Sequence, residues 1–382
     1  MNALVRLLGA AIFTSALGGS AQTSAARTEF ARAAQPQLAA APDGRVWVVY
    51  GHLLEAPAAP PEAQKHPGHA PSVRSGDVFV ARSTDGGTTF ATPVKVAHVP
   101  KLMLGLRRGP RIAVNGPNLT VTVNAHELLA FTSRDGGKTW SEPVTVNQVP
   151  TSAREGLHDL AAGPDGRLFV TWLDLRNGKM ELWGAGSNDG GRTWEANERI
   201  YRSPDKSICE CCHPSALFDA DGHLAVMWRN SIDGARDMWI AVRAGGAAEF
   251  GPATKLGEGS WKLNACPMDG GRIVALGGGA FGAVWTRNGE VYFSRREGAE
   301  TRLGQGKQPA AVLARDGRPL VVWQQGTGLV SAVGNPGATA TPTSRAADAR
   351  FPSLLTVPGD RGILLAYERG EKAATSIVVE RL

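Results

Sequence analysis

The chain has 382 residues with 47 glycines, 24 prolines and 20% charged residues, and carries a formal charge of +6. So mild a surplus with no basic run reads as a solubilising surface and argues against nucleic-acid binding. The length exceeds that of a usual single domain, but an all-β ring of repeated sheets can reach it undivided.

The first element is an address. Met1–Arg6 supplies positive charge, Leu7–Leu17 is apolar, and Gly19-Ser20-Ala21 offers small residues for cleavage. Residues 1–21 are therefore expected to be a signal peptide, too short to span a membrane, with residues 22–382 forming one exported domain, periplasmic or secreted. No later run is long and apolar enough to suggest stable membrane insertion.

Next come seven related units: Gln35–Tyr50, Arg108–Asn124, Leu157–Asp174, His213–Asn230, Asn264–Arg287, Gln308–Gln324 and Arg350–Arg369. Each reads as a strand, a turn and an apolar strand, with Asp43-Gly44, Asn115-Gly116, Asp165-Gly166, Asp221-Gly222 and Asp316-Gly317 marking turns. Most spacings are about 43 to 55 residues, the period of four-stranded propeller blades. The last unit ends on its third strand at Ser376–Leu382, so residues around Thr28–Ala33 are expected to supply a fourth and close the ring without a free edge. Residues 55–76, rich in Pro and Ala with His66 and His69, read as a loop inserted between the second and third strands of the first unit. Trp172, Trp228, Trp285 and Trp323 recur at equivalent strand ends and are expected to pack between blades.

Three units also contain one phrase: Ser83-Thr-Asp-Gly-Gly-Thr-Thr-Phe90, Ser133-Arg-Asp-Gly-Gly-Lys-Thr-Trp140 and Ser187-Asn-Asp-Gly-Gly-Arg-Thr-Trp194. Asp-Gly-Gly between strand-like runs is a hairpin signal, because Gly takes positive φ and Asp caps its own turn. The closing Thr and aromatic are expected to pack the turn onto its own sheet. The phrase resembles the Asp-box, or BNR repeat, of the sialidase superfamily. That resemblance implies a β-propeller with the boxes far from the active site; the seven units counted here favour seven blades over the six of sialidases.

In such a ring, loops entering the inner strand and loops leaving the second strand open on one face, and the Asp-box turns on the other. The first face collects most of the unusual residues. Cys209-Glu-Cys211-Cys212-His213 and Cys266-Pro-Met268 enter consecutive units and are expected to meet. Two readings stand side by side. In one, the four cysteines are disulfide staples of an exported interaction scaffold with a protein partner. Alternatively Cys209, Cys211, Cys212, His213, Cys266 and Met268 hold a soft metal, copper or zinc, in a metal-handling or redox protein. No cofactor is required by the sequence.

The resemblance implies a third reading, a small-molecule or glycan site. Sialidases hold a carboxylate with three arginines and use an Asp acid/base with a Tyr–Glu nucleophile pair. Candidate binding residues here are Arg108, Arg111, Asp174, Arg176, Arg229, Arg236 and Asp237; candidate catalytic residues are Glu155, Asp159 and Tyr367. Asp174 with Arg176, and Arg236 with Asp237, equally read as ion pairs that order loops. The Phe/Tyr-Arg-Ile-Pro entry motif of sialidases is missing. Its nearest counterpart is Arg108-Gly-Pro-Arg111-Ile112, so sialidase activity is expected to be weak or absent, and an exo-glycosidase only one outcome.

Overall fold

The computed structural model describes residues 27–54, 72–334, 341–371 and 374–382. The expected signal peptide and both histidines of the expected insertion lie outside them. The described residues form seven four-stranded antiparallel sheets, six of them in simple sequence order from the inner strand outward and the seventh completed by the first strand of the chain. The inner strands are Ala34–Ala40, Arg111–Asn115, His158–Ala162, Ser215–Phe218, Gly271–Gly277, Lys307–Leu313 and Ala349–Thr356, numbered here as blades one to seven. Consecutive inner strands neighbour one another all the way round, and blade seven returns to blade one. No described helix is long and apolar enough to cross a membrane.

Closure takes the form expected. Arg27–Ala31 is the outermost strand of blade seven, pairing with Ser376–Arg381 from Arg27 opposite Glu380 to Ala31 opposite Ser376. The inserted loop is shorter than expected, because Ser72–Ser83 is already strand and its start pairs with Leu102–Leu104 of the same blade.

The blades adhere through tryptophans. Trp47, Trp172, Trp228, Trp285 and Trp323, each on a second strand, are at most 2% exposed. Trp228 of blade four packs with Phe169, Leu173 and Leu182 of blade three. Trp323 of blade six packs with Val284, Val291 and Phe293 of blade five, and Trp172 and Trp285 likewise join residues of the blade before them. An indole is wide enough to bridge two twisted sheets at one position, which is why it recurs there.

The Asp-box turns repeat one hydrogen-bond scheme. In the second copy Ser133 Oγ donates to Asp135 Oδ1 at 2.8 Å, and Asp135 accepts the amides of Lys138 and Thr139 and the Thr139 hydroxyl. Gly136 and Gly137 hold φ of 77° and 92°, a conformation open to glycine. In the first copy burial opposes ionisation of Asp85, yet hydrogen bonds from Thr89, Ser83 and Thr88 hold its carboxyl down to about 2. The boxes also dock on the preceding blade through their first glycine. Gly86 O accepts from Arg381, Gly136 O from Trp47 Nε1 and Gly190 O from Thr120 Oγ1. The closing threonines pack back on their own turns as expected, whereas Phe90 meets Phe30 of blade seven, ring centroids 5.9 Å apart. An aromatic facing the blade boundary buries more area there than its own thin sheet can cover.

Candidate functional site

The three Asp-boxes join third to fourth strands, while Cys209–Cys212 lie in the loop entering blade four and Arg229 ends a second strand. In a four-stranded antiparallel blade these two kinds of connection lie at opposite strand ends. Two arrangements occupy the face away from the boxes, a sulfur cluster and a channel cavity.

The sulfur cluster forms where the entries to blades four and five meet. Cys209 Sγ lies 3.8 Å from Cys211 Sγ and 3.6 Å from Cys212 Sγ. All three are buried, and all four cysteines are free thiols in this structure. Met268 and, at the rim, Cys266 and Leu106 pack against them. The loop is anchored by Cys209 N, which donates to Arg229 O. Hydrogen bonds from Cys211 and Cys212 favour ionisation of Cys209, whereas hydrogen bonds with Cys209 and Cys212, and then burial, push Cys211 up; one thiolate in the group is stabilised at its neighbours' expense.

His213, expected among the ligands, is turned elsewhere. The chain swings into the inner strand of blade four at Pro214, and His213 lines the channel instead, its Nδ1 accepting the Gly270 amide at 3.3 Å. A Cβ on Gly270 would lie 2.2 Å from His213 O, so only glycine permits this approach. Burial first, then the charges of Arg107, Arg111 and Arg272, drive the His213 pKa well below the ordinary value. The imidazole is therefore neutral at pH 7, and with Nδ1 accepting, Nε2 carries the proton.

The cavity, of about 60 Å³, is lined by Arg107, Arg111, His213 and Arg272 with Gln35 and Phe351 among others. Arg107 is fixed by the Gln308 side chain and by Gln308 and Pro352 carbonyls, and burial lowers its pKa to about 10. Arg111 donates to the carbonyls of Arg107, Gly109 and Pro110. Asp159 sits between Arg111 Nε at 3.2 Å and Arg272 Nη1 at 2.8 Å, and also accepts the Ala216 amide. The Arg272 side chain is 32% exposed, whereas that of Asp159 is 1% exposed. Glu368 accepts from the amide and side chain of Gln35 and from Arg350. Gln35, Gln308 and Phe351 all have positive φ, between 52° and 57°, at the entries to three inner strands. Non-glycine residues held there mark a backbone over-determined by its surroundings, as functional sites often are.

Other predicted residues are placed as follows. Arg229, 1% exposed, spends its donors on the carbonyls of Arg236, Asp269 and Thr286 and straps blade four to blade five. Asp174 accepts from Ser152, Trp172 and a bidentate Arg176, which lies over the Trp183 ring at 3.7 Å. Asp237 takes the Trp261 amide and the Ser260 hydroxyl. These are loop-ordering contacts. Arg236 is half-buried beside Cys209. Arg108 is 2% exposed; its Nε donates to Glu155 O at 2.6 Å, and its Nη1 has no hydrogen-bond partner. Glu155 is half-buried next to Arg108, and burial raises its pKa. Tyr367 is packed with Val322, Leu329 and Val378 between blades six and seven, so Tyr367 does not line the cavity. Burial pushes its phenol up to about 12.

Arg272, Asp269, Gln308 and Phe351 were not reached by motif. A signal existed: Gln35-Pro36, Gly109-Pro110, His213-Pro214, Gln308-Pro309 and Phe351-Pro352 stand at the entries of five of the seven blades.

The ring, its repeat period and its boxes define a seven-bladed β-propeller with Asp-box turns. Residues 112–277 match the BNR repeat-like domain, bearing out the likeness read from the three turns. No curated protein matches the chain. Among solved structures, a protein of unknown function from Dyadobacter fermentans is similar over 94% of this chain and 97% of its own, with 15% identity and a TM-score of 0.54. An α-L-arabinofuranosidase from Fusarium graminearum, in complex with an iminosugar inhibitor, is 14% identical over 71% of this chain and 92% of its own, TM-score 0.49. A sialidase from Streptococcus pneumoniae is 12% identical over 95% of this chain and 70% of its own, TM-score 0.46.

Proposed function

We propose that this propeller binds an acidic small molecule or glycan at the channel mouth opposite its Asp-boxes, and does so without hydrolysing it. The supporting observation is the convergence of Arg107, Arg111 and Arg272 on one narrow cavity beside a neutral His213. Arg107 and Arg111 are held by carbonyl oxygens and contribute mainly positive potential. Arg272, partly exposed, and the Nε2–H of His213 are the donors for a carboxylate or similar anion. Hydrolysis of a glycoside calls for two carboxyl groups, or a carboxyl and an activated nucleophile, flanking the bond. Asp159 is instead committed to two arginines, and Tyr367 lies between blades. In this reading the protein works after export, residues 1–21 having the composition of a signal peptide.

The test is calorimetric titration with acidic and matched neutral monosaccharides. Acidic sugars should bind, and Arg272→Ala should weaken them about 10- to 100-fold, the worth of a charge-assisted hydrogen bond. Equal binding of neutral sugars, or an unchanged Arg272→Ala, would sink the assignment. Release of sialic acid from a model sialoside, abolished by Tyr367→Phe, would restore the hydrolase.

A further inference from the structure

We propose that Cys209, Cys211 and Cys212 form a buried three-thiolate site for one Cu(I) ion, enclosed by Arg108, Arg229 and Arg236. The first support is geometric. These three sulfurs all lie within 4.8 Å of one another. With metal–sulfur bonds of about 2.3 Å, sulfurs around one ion are separated by about 3.8 Å if tetrahedral and about 4.0 Å if trigonal. The observed 3.6 and 3.8 Å need only small side-chain rotations to admit an ion.

The second support is charge. Three thiolates and Cu(I) sum to −2, a charge that a buried site must neutralise. Arg236 faces Cys209, Cys211 and Cys266; Arg229 faces Cys209 and Cys212; Arg108 faces Cys211 and Cys212. Arg108 Nη1 is buried and unpartnered, an orphan donor that a thiolate would satisfy.

The third support is ligand number. Cu(I) is soft and accepts low coordination by sulfur, whereas structural Zn(II) is tetrahedral and needs a fourth ligand. Cys266 packs at the rim, outside the group of three thiols, and Met268 is buried against that group. They close the site from solvent, and the half-exposed Cys266 stands where an arriving ion would first meet sulfur. On binding, each ligating thiol gives its proton to solvent and the ion stays Cu(I), so no electron is transferred.

The experiment uses the full chain, reduced under anaerobic conditions and titrated with Cu(I) against a chromophoric competitor. One equivalent should bind, with sulfur-only coordination by X-ray absorption. Cys212→Ser should lower affinity at least 100-fold, while Cys266→Ser and Arg272→Ala keep the full equivalent. Alkylation of the folded wild type supplies a second readout that does not depend on the folding of Cys212→Ser: Cu(I) should protect Cys209, Cys211 and Cys212 and leave Cys266 reactive. Four thiols equally reactive with copper present, or undiminished binding by folded Cys212→Ser, would overturn the proposal. So would disulfides that persist through reduction, which make the cysteines staples, or Zn(II) bound in preference to Cu(I) and dependent on Cys266.

Discussion

His158 shows how much a single buried side chain can impose on the ring. It is wholly buried, with Nε2 3.1 Å from Thr122 Oγ1 and no partner for Nδ1. Burial, then the charge of Arg111, lowers its pKa from 6.5 to about 3. The unfolded chain therefore takes up this proton first, and stability present above about pH 6.5 is lost as pH falls towards 3. The slope is at most about 1.4 kcal/mol per pH unit for each such histidine, and His213 adds to it in the same direction. Urea unfolding at a series of pH values should show His158→Gln with a shallower decline across that window. An unchanged slope would mean that His158 titrates normally in the fold. At this scale the sequence said least. His158 carried no motif, and the placement of His213 depended on which way the chain turned at Pro214, a tertiary fact no spacing encodes.

The Asp-box is the element whose physics is most complete. Its Asp satisfies its own turn, while its first glycine carbonyl reaches the blade before it. Two substitutions separate these roles. Asp135→Ala removes the acceptor for two amides and two hydroxyls on an exposed turn and should cost about 1–2 kcal/mol. Thr120→Val, nearly isosteric, leaves Gly190 O without its 2.8 Å partner across a blade boundary, and should cost about 1–2 kcal/mol with no change in the turn itself. Chemical denaturation measures both, and a neutral Thr120→Val would show that the boxes stabilise only locally. The hairpins, the seven units and the closing strand were legible because turn chemistry and period are local. The docking was not: Arg381, Trp47 and Thr120 hold three equivalent carbonyls with three different side chains, so no repeat in the sequence announces it. Tyr367 and Glu368, adjacent on one strand, point to opposite sides of it, as strand alternation requires: one into the blade packing, the other to Gln35.

Across the whole molecule, the repeats divide the ring unevenly. Blades one to three carry the boxes, and the sulfur cluster bridges the entries of blades four and five. Blade four adheres to blade three through Trp228, whose replacement by alanine should cost about 3–5 kcal/mol. Thermal melting followed by tryptophan fluorescence should show the loss, and a shift no larger than that of a surface substitution would deny the indole its bridging role.

Blade seven gives these forces an order in time. Its outer strand is Arg27–Ala31 and its third is Ser376–Arg381, so the outermost strand precedes its three partners in the chain and can dock only after they have been made. Until then both Arg27–Ala31 and the strand Ile363–Arg369 present unpaired amides and carbonyls, the template on which chains in a crowded compartment join edge to edge. A nascent chain of this kind has a vulnerable interval set by translation rate rather than by stability.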